Sequence, residues 1–325
     1  MKAINFFYLL LLSALNGSAQ ISWQRVDSLY KPLPASVHVY RSTSDLEGKP
    51  NIAYYVIADL NDKNILFSAD TSHQRRLTPT EFYEKNRQPL LVVNTTFFSF
   101  ETNQNLNTVI RNGKIVSHNK PVPGRGKDTL LFHHTLNSVL GISRKRKADI
   151  AWIFTDSSDK YAFATQSPLK SFKTHSPASI RNQYSAPISD SSEQAKQLKF
   201  RKWKMHTAVG GGPVLLQQGE IFITNNEERK FAGNAINDRH PRTAMGYTGD
   251  GKLIILVVQG RFPREAEGAS LVHLANMMKE LGCVEAMNLD GGGSSCLLIN
   301  GKETIAPSDK KQRAVPAVFM IDTKK

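Results

Sequence analysis

Apolar residues in this chain come in short runs rather than in helical stripes. Val37–Tyr40, Ile52–Leu60, Ile65–Ser68, Leu90–Val93, Val109–Ile110, Lys114–Ser117 and Ala151–Phe154 are rich in Val, Ile and aromatic residues and are bounded by Gly, Asn, Asp or Pro. Pro213–Leu216, Glu220–Ile223, Ala244–Tyr247, Leu253–Gln259, Val284–Leu289, Cys296–Ile299 and Ala317–Ile321 continue the pattern, which predicts strands. Turn residues between the runs predict hairpins at Arg111-Asn112-Gly113, Gln218-Gly219, Gly249-Asp250-Gly251 and Asn300-Gly301. Arg144-Lys145-Arg146-Lys147 reads as a further turn with a solvated face.

Helix signals are sparse. Thr78–Asn86 opens with a capping Thr, Pro79 just inside and Glu81 at the capping-box position. Ser270–Leu281 places Leu271, Leu274, Ala275, Met278 and Leu281 on one face and stops at Gly282. Residues 165–204, rich in Ser, Lys, Gln and Pro, read as an exposed insertion. The expected architecture is α+β: a strand-rich mixed or antiparallel sheet core with a few covering helices. Residues 20–87 form its leading strands and helix, and residues 88–322 its main domain.

Polar residues interrupt the apolar pattern in four places. Leu91-Val92-Val93 runs straight into Asn94-Thr95-Thr96, and Gly210-Gly211-Gly212 precedes a strand. Arg239-His240-Pro241-Arg242-Thr243 precedes another, and "NLDGGGSS" spans Asn288 to Ser295. Glycine admits positive φ and close backbone approach, so Gly291-Gly292-Gly293 could present a nest of N–H donors to an anion. A hairpin turn opened by Asp290 is the plainer alternative. The Gly-Lys-Ser/Thr spacing of a Walker loop is absent.

The first residues change the picture of where the chain works. Lys2, the apolar run Phe6–Leu12 and the small residues Gly17-Ser18-Ala19 read as a signal peptide over residues 1–19, so the chain is expected to be exported, to the periplasm or beyond the cell. No later run is long and apolar enough to imply an integral membrane anchor. If residues 283–289 and 296–299 are the arms of a hairpin, Cys283 and Cys296 sit too far apart to bridge, and two buried free thiols follow. The formal charge of +14 favours anionic partners. No zinc-finger spacing, RNP-like aromatic motif or basic helix accompanies it, which argues against nucleic acid.

The four polar segments together carry a resemblance. "HPRTAMGYTGDGKLIILVVQGR", the helix start "GASL" and "LGCVEAMNLDGGGSSCLLING" resemble the phosphodiester glycosidase family. "NTTFF" is similar to that family's Asn-Gly-Gly-Phe/Tyr-Phe segment, "VGGGPVLL" to its glycine-rich middle motif and "RAVPAVFMI" to its closing strand. The resemblance spans roughly residues 88 to 322. It implies hydrolysis of a sugar-1-phosphodiester in a glycan or glycolipid, with a carbohydrate phosphodiester as partner.

Under that resemblance Asp290 is the catalytic carboxylate and Arg242, whose planar fork suits phosphate, holds the leaving group. Asn94, Thr96, Thr243, Asn288 and Ser294 would contact sugar hydroxyls or phosphate oxygens, with Ser295 a weaker candidate. Gly212 and Gly292 would let the backbone approach substrate. The histidines show no zinc spacing; metal dependence is open, with a divalent cation held by Asp290 and loop carbonyls as the candidate cofactor. Three departures stand out. Thr95-Thr96 replace a small pair, Val272-His273 stands where relatives place an acid, and Gln259 replaces an aspartate. The lost acids motivate a rival expectation: a non-catalytic binding protein for anionic polysaccharide on the same fold.

Overall fold

A computed structural model describes residues 21–73, 75–123, 130–134, 136–168, 172–174 and 200–324. The leader at 1–19 and most of the 165–204 segment lie outside these residues. The far end of that segment is a strand: Arg201–Trp203 pairs with Ala162–Thr165.

The expected α+β architecture is present, and its ladders are antiparallel. An eight-stranded sheet takes in Val37–Ser42, Ala53–Asp59, Lys252–Val258, Arg242–Thr248, Cys283–Asn288 and Val214–Gln217 in spatial order. A five-stranded sheet places Leu91–Asn94 between Leu297–Ile299 and Ala317–Thr323, with Ile65–Thr71 beyond. A seven-stranded sheet holds Ala148–Phe154, Asn137–Ile142 and Thr207–Gly210 side by side. The segment before residue 88 therefore supplies strands to two of these sheets.

Side-chain alternation explains the layering. Leu253, Ile255 and Val257 point into one core with Met245, Met287, Leu140, Trp152, Leu91, Val93 and Phe319, drawn from all three sheets. Ile254, Leu256 and Val258 point the other way, under Leu271, Leu274, Ala275 and Met278 of the helix Leu271–Glu280. The run Leu253–Val258 is thus apolar at every position because both faces are covered. The helix Pro79–Lys85, with the expected capping box at Thr78 and Glu81, lays Phe82 on the outer face of the five-stranded sheet.

Several expectations change. Cys283–Asn288 and Leu297–Ile299 are not arms of one hairpin; they belong to different sheets, and the glycine loop carries the chain from one to the other. Both thiols are still free and buried, and burial pushes their pKa values up, that of Cys283 to about 12. The Arg144–Lys147 turn does join two strands, but Arg146 is no solvated residue. Its guanidinium donates to the carbonyls of Leu60, Asp62 and Ile65 and lies over the Phe67 ring. Asn137–Ile142 and Thr207–Gly210 are strands that the pattern alone does not announce, because Asn, Ser, Thr and Gly occupy buried positions in them.

Phe319 is fully buried in the central core. Phe319→Ala is expected to lower unfolding free energy by about 3–5 kcal/mol. The same truncation at Leu66, which is 41% exposed, should stay within about 0.5 kcal/mol. Denaturant unfolding of both variants checks the contrast.

Candidate active site

Three sheets meet where the four polar segments come together. Leu91–Asn94 ends on the five-stranded sheet, Thr207–Gly210 on the seven-stranded one, and Arg242–Thr248 and Cys283–Asn288 lie side by side in the eight-stranded one. Each triple glycine is a crossing between sheets.

Asn94 ties the crossing together. Its Oδ1 accepts from Thr243 Oγ1 at 2.9 Å and from the Cys296 amide at 3.1 Å, and its Nδ2 donates to the Asp290 carbonyl at 2.6 Å. The Asp290 amide donates to Thr95 O at 2.7 Å, and the Leu289 amide to Thr243 O at 2.8 Å. Thr243 Oγ1 also lies 3.2 Å from Ser295 Oγ. Asn94 and Thr243 are fully buried, and these bonds hold the Asp290 backbone in place.

The glycine amides are engaged too. Gly212 N–H donates to Asn288 O at 2.7 Å, and Gly292 N–H to Pro241 O at 2.8 Å. In the Gly291–Gly293 loop the middle amide is thus committed to Pro241, and the glycines also provide room. A Cβ on Gly212, at φ +109°, would lie 2.2 Å from Glu228 Oε2, and one on Gly293 would lie 2.1 Å from Arg313 Nη2. No larger residue fits either crossing without displacing those groups.

Polar atoms are left over at this junction. Asp290 Oδ2, Asn288 Oδ1, Ser294 Oγ, Thr95 Oγ1 and Thr96 Oγ1 are buried without hydrogen-bond partners, as is His240 Nδ1. Buried polar atoms are ordinarily paired, so such a concentration marks a place where a ligand or water completes the bonding. Burial drives the Asp290 carboxyl up to about 7, offset in part by Ser294, the Arg313 charge and the Gly291 amide. It is poised to change charge near neutrality.

Cations surround it. Arg242 is buried, and its Cδ lies 3.9 Å from where a Cβ on Gly291 would be. Its Nε and Nη2 donate to the carbonyls of Ala269 and Asp238, both at 2.9 Å, so the fork is only partly free. Burial lowers its pKa to about 10. Arg261 stands 3.1 Å from a Cβ placed on Gly292. Arg313, bonded to Asp309 at 2.6 Å, packs on Gly293. On the opposite wall, Lys230 lies over the Phe97 ring, Phe97 meets Phe231 edge-on, and Arg242 lies over Phe231. Burial brings the Lys230 ammonium down to about 8, with Glu228 opposing the shift. Three guanidiniums packed on one glycine loop favour an anion there. Among the described residues no cluster of three or more His, Cys, Asp or Glu side chains could hold a metal.

Glu228 escapes sequence reasoning altogether, because "NNEERKF" reads as a charged surface loop. It is buried, and its carboxylate accepts five hydrogen bonds. Oε1 takes Trp152 Nε1, the Val214 amide and Thr224 Oγ1; Oε2 takes the amide and hydroxyl of Ser138. With both oxygens so occupied, it locks Gly212 and the strand behind it and has no lone pair to spare for chemistry. Arg261, Arg313 and Lys230 were equally unmarked by pattern.

Two departures turn out to be structural. His273 caps its own helix: its amide donates to Ser270 Oγ and its Nδ1 accepts from the Ser270 amide, while Nε2 lies 2.9 Å from Glu47. Gln259 Oε1 accepts from the Ala306 amide at 2.9 Å and holds that loop. Thr95 and Thr96 do line the junction, with both hydroxyls unpartnered.

Residues 88–322 match the phosphodiester glycosidase family. This chain belongs to it. A prophage-derived protein of Bacillus subtilis is 40% identical over 80 residues, covering 25% of this chain and 12% of that protein. The N-acetylglucosamine-1-phosphodiester alpha-N-acetylglucosaminidase of Bos taurus is 34% identical over 112 residues, 32% of this chain and 21% of the bovine protein. The chain thus spans a small part of the length of the relatives it matches. In fold, it resembles the catalytic domain of the zebrafish enzyme of that name, auto-inhibited by its pro-peptide. The TM-score is 0.58 at 20% identity, covering 95% of this chain and 90% of that one. The residues that the family resemblance pointed to gather at this junction, with the Asn94 and Thr243 side chains bonded within the protein.

Glu228→Ala would leave four donors unpaired, since the Val214 amide also donates to Thr224 Oγ1. Each stranded donor costs about 1–3 kcal/mol, so a loss of at least about 3 kcal/mol in unfolding free energy is expected even if water rescues most of them. A loss under about 1 kcal/mol in a denaturant titration would contradict the locking role.

Proposed function

We propose that this phosphodiester glycosidase family member is an exported hydrolase that cleaves the bond between an anomeric carbon and a phosphodiester oxygen. The supporting observation is one buried, unpartnered carboxylate oxygen on a glycine loop against which Arg242, Arg261 and Arg313 pack. A phosphate monoester is a good leaving group and needs little protonation, but it departs with charge. Guanidinium groups in a partly dry site stabilise that charge. Arg261 is the most open of the three forks; Arg313 gives its Nε and Nη2 to Asp309, and Arg242, with two nitrogens committed to carbonyls, adds field and fixes the loop. Asp290 serves the anomeric carbon, as nucleophile, as base toward water or as stabiliser of oxocarbenium-like charge. Asn288 Oδ1, Ser294 Oγ and the Thr95 and Thr96 hydroxyls are the free partners for sugar hydroxyls. The two threonines narrow the sugar side relative to a glycine pair and favour a substrate with a compact face there.

The leader-like first residues support export, to the periplasm or beyond the cell, and no helix among the described residues is long and apolar enough to cross a membrane. A second reading, a receptor that binds anionic polysaccharide without cleaving it, draws on Glu228 being fully engaged, which leaves Asp290 without a second working carboxylate.

A panel of α- and β-linked sugar-1-phosphodiesters, assayed for free sugar with and without chelator, separates the two. Asp290→Asn is expected to lower kcat by about 10³-fold, within the range for a lost acid–base or nucleophilic group. Intact binding with no turnover by the parent would favour the receptor. The ionised form of Asp290 is the active one, and its raised pKa means that charge is gained as pH rises through about 7, so kcat/KM should climb there. It should fall again above about 8 as Lys230 loses its proton, and Lys230→Met should abolish that alkaline fall.

A further inference from the structure

Beyond the junction, a polar cavity of about 600 Å³ opens on the surface, lined by His73, Arg75, Asn105, His118 and Lys120 among others. Among the described residues no carboxylate lines it. Asn105 Nδ2 and His118 Nδ1 are buried at its wall with no partner. Burial and the Lys120 charge keep His118 toward its neutral form. The cavity therefore presents fixed cations together with an unused amide donor, the groups that recognise phosphate oxygens and sugar hydroxyls.

This cavity is joined to Asp290 by a short bridge of side chains. Phe100 is 65% exposed, although it packs on Phe98 with ring centroids 4.7 Å apart. Two guanidiniums flank its ring, Arg313 at 5.3 Å and Arg76 at 5.6 Å. Arg313 packs on Gly293 and acts on the Asp290 charge. Arg76 is the chain neighbour of Arg75, and Phe100 lies just before the Thr102–Asn105 stretch that lines the cavity. An exposed aromatic ring with guanidiniums over it is an apolar surface against which a sugar ring can pack while phosphates pair with the arginines.

We infer that Arg313, Phe100, Arg76 and the Arg75–Lys120 cavity form one continuous track that binds the part of an anionic glycan lying beyond the cleaved bond. The occupant is a polymer whose sugars are joined through phosphodiesters, with at least one further phosphate held in the cavity. The identity of the polymer rests on the glycosidase reading; the track itself rests on the side chains named.

The test uses the full chain carrying Asp290→Asn, so that nothing is consumed. Four fluorescent probes are titrated: a single sugar-1-phosphodiester, a six-repeat poly(sugar phosphate), a neutral hexasaccharide and an oligothymidylate of matching charge. The six-repeat probe should bind at least about 10-fold more tightly than the single phosphodiester, the gain expected when a second site is engaged through a short tether. Phe100→Ala and the pair Arg75→Ala with Lys120→Ala should each remove most of that gain. The neutral hexasaccharide should bind weakly. Equal affinity for the six-repeat and single probes, a gain that survives both sets of substitutions, or oligothymidylate binding as tightly as the six-repeat probe would each overturn the track. Turnover of the single phosphodiester by the parent is scored separately. Cleavage without a length effect would sink the track and leave the glycosidase standing; a length effect without cleavage would do the reverse.

Discussion

The Asn94 amide at the meeting of the sheets is the contact on which the rest of the site depends. It fastens the end of Leu91–Asn94 to Thr243, to the Cys296 amide and to the Asp290 carbonyl at once. Those partners come from the strand beside it and from the loop that leaves the eight-stranded sheet. An amide is the one neutral side chain that offers two donors and an acceptor in a plane, and here it satisfies backbone groups that no ladder can reach. A loop that changes sheets gives up regular pairing, and its polar groups must be met by side chains or left bare. The fold meets those that hold the crossing in place and leaves others bare around Asp290.

That division separates scaffold from chemistry. Asn94, Thr243, Glu228 and the glycine amides are bonded within the protein. The Asp290, Asn288 and Ser294 oxygens and the two threonine hydroxyls are not. The same burial that leaves them dry also lifts Asp290 toward neutrality and depresses Lys230 and Arg242. A carboxylate raised by desolvation and cations lowered by it are complementary consequences of one low-dielectric junction.

The basic balance of the chain acquires a location in this structure. Arg242, Arg261 and Arg313 pack on the Gly291–Gly293 loop and Lys230 beside Gly212, while Arg146, part of the densest basic run, is turned inward to hold carbonyls. Charge that looks alike along the chain is therefore split between recognition and construction.

Much of the fold was legible from side-chain periodicity, because alternation and capping are local: the run Leu253–Val258, the Thr78 capping box and the helix after Ser270 all stand where their residues predict. Motif spelling likewise marked Asp290, Arg242 and their neighbours as one group. What the chain alone left undecided was every relation between sheets. The arms flanking NLDGGGSS look like a hairpin because turn signals say nothing of which sheet each arm joins. Glu228, Lys230, Arg261 and Arg313 carry no local signal, since a charged residue in a polar loop looks the same whether it faces water or a buried junction. His273 and Gln259 looked like lost acids and are a helix cap and a loop anchor. Sequence by itself determined the strands, the caps and the motif residues, whose physics acts within a few positions. Tertiary structure decided which polar atoms are satisfied and which are left for a ligand, because satisfaction depends on partners more than a hundred residues away.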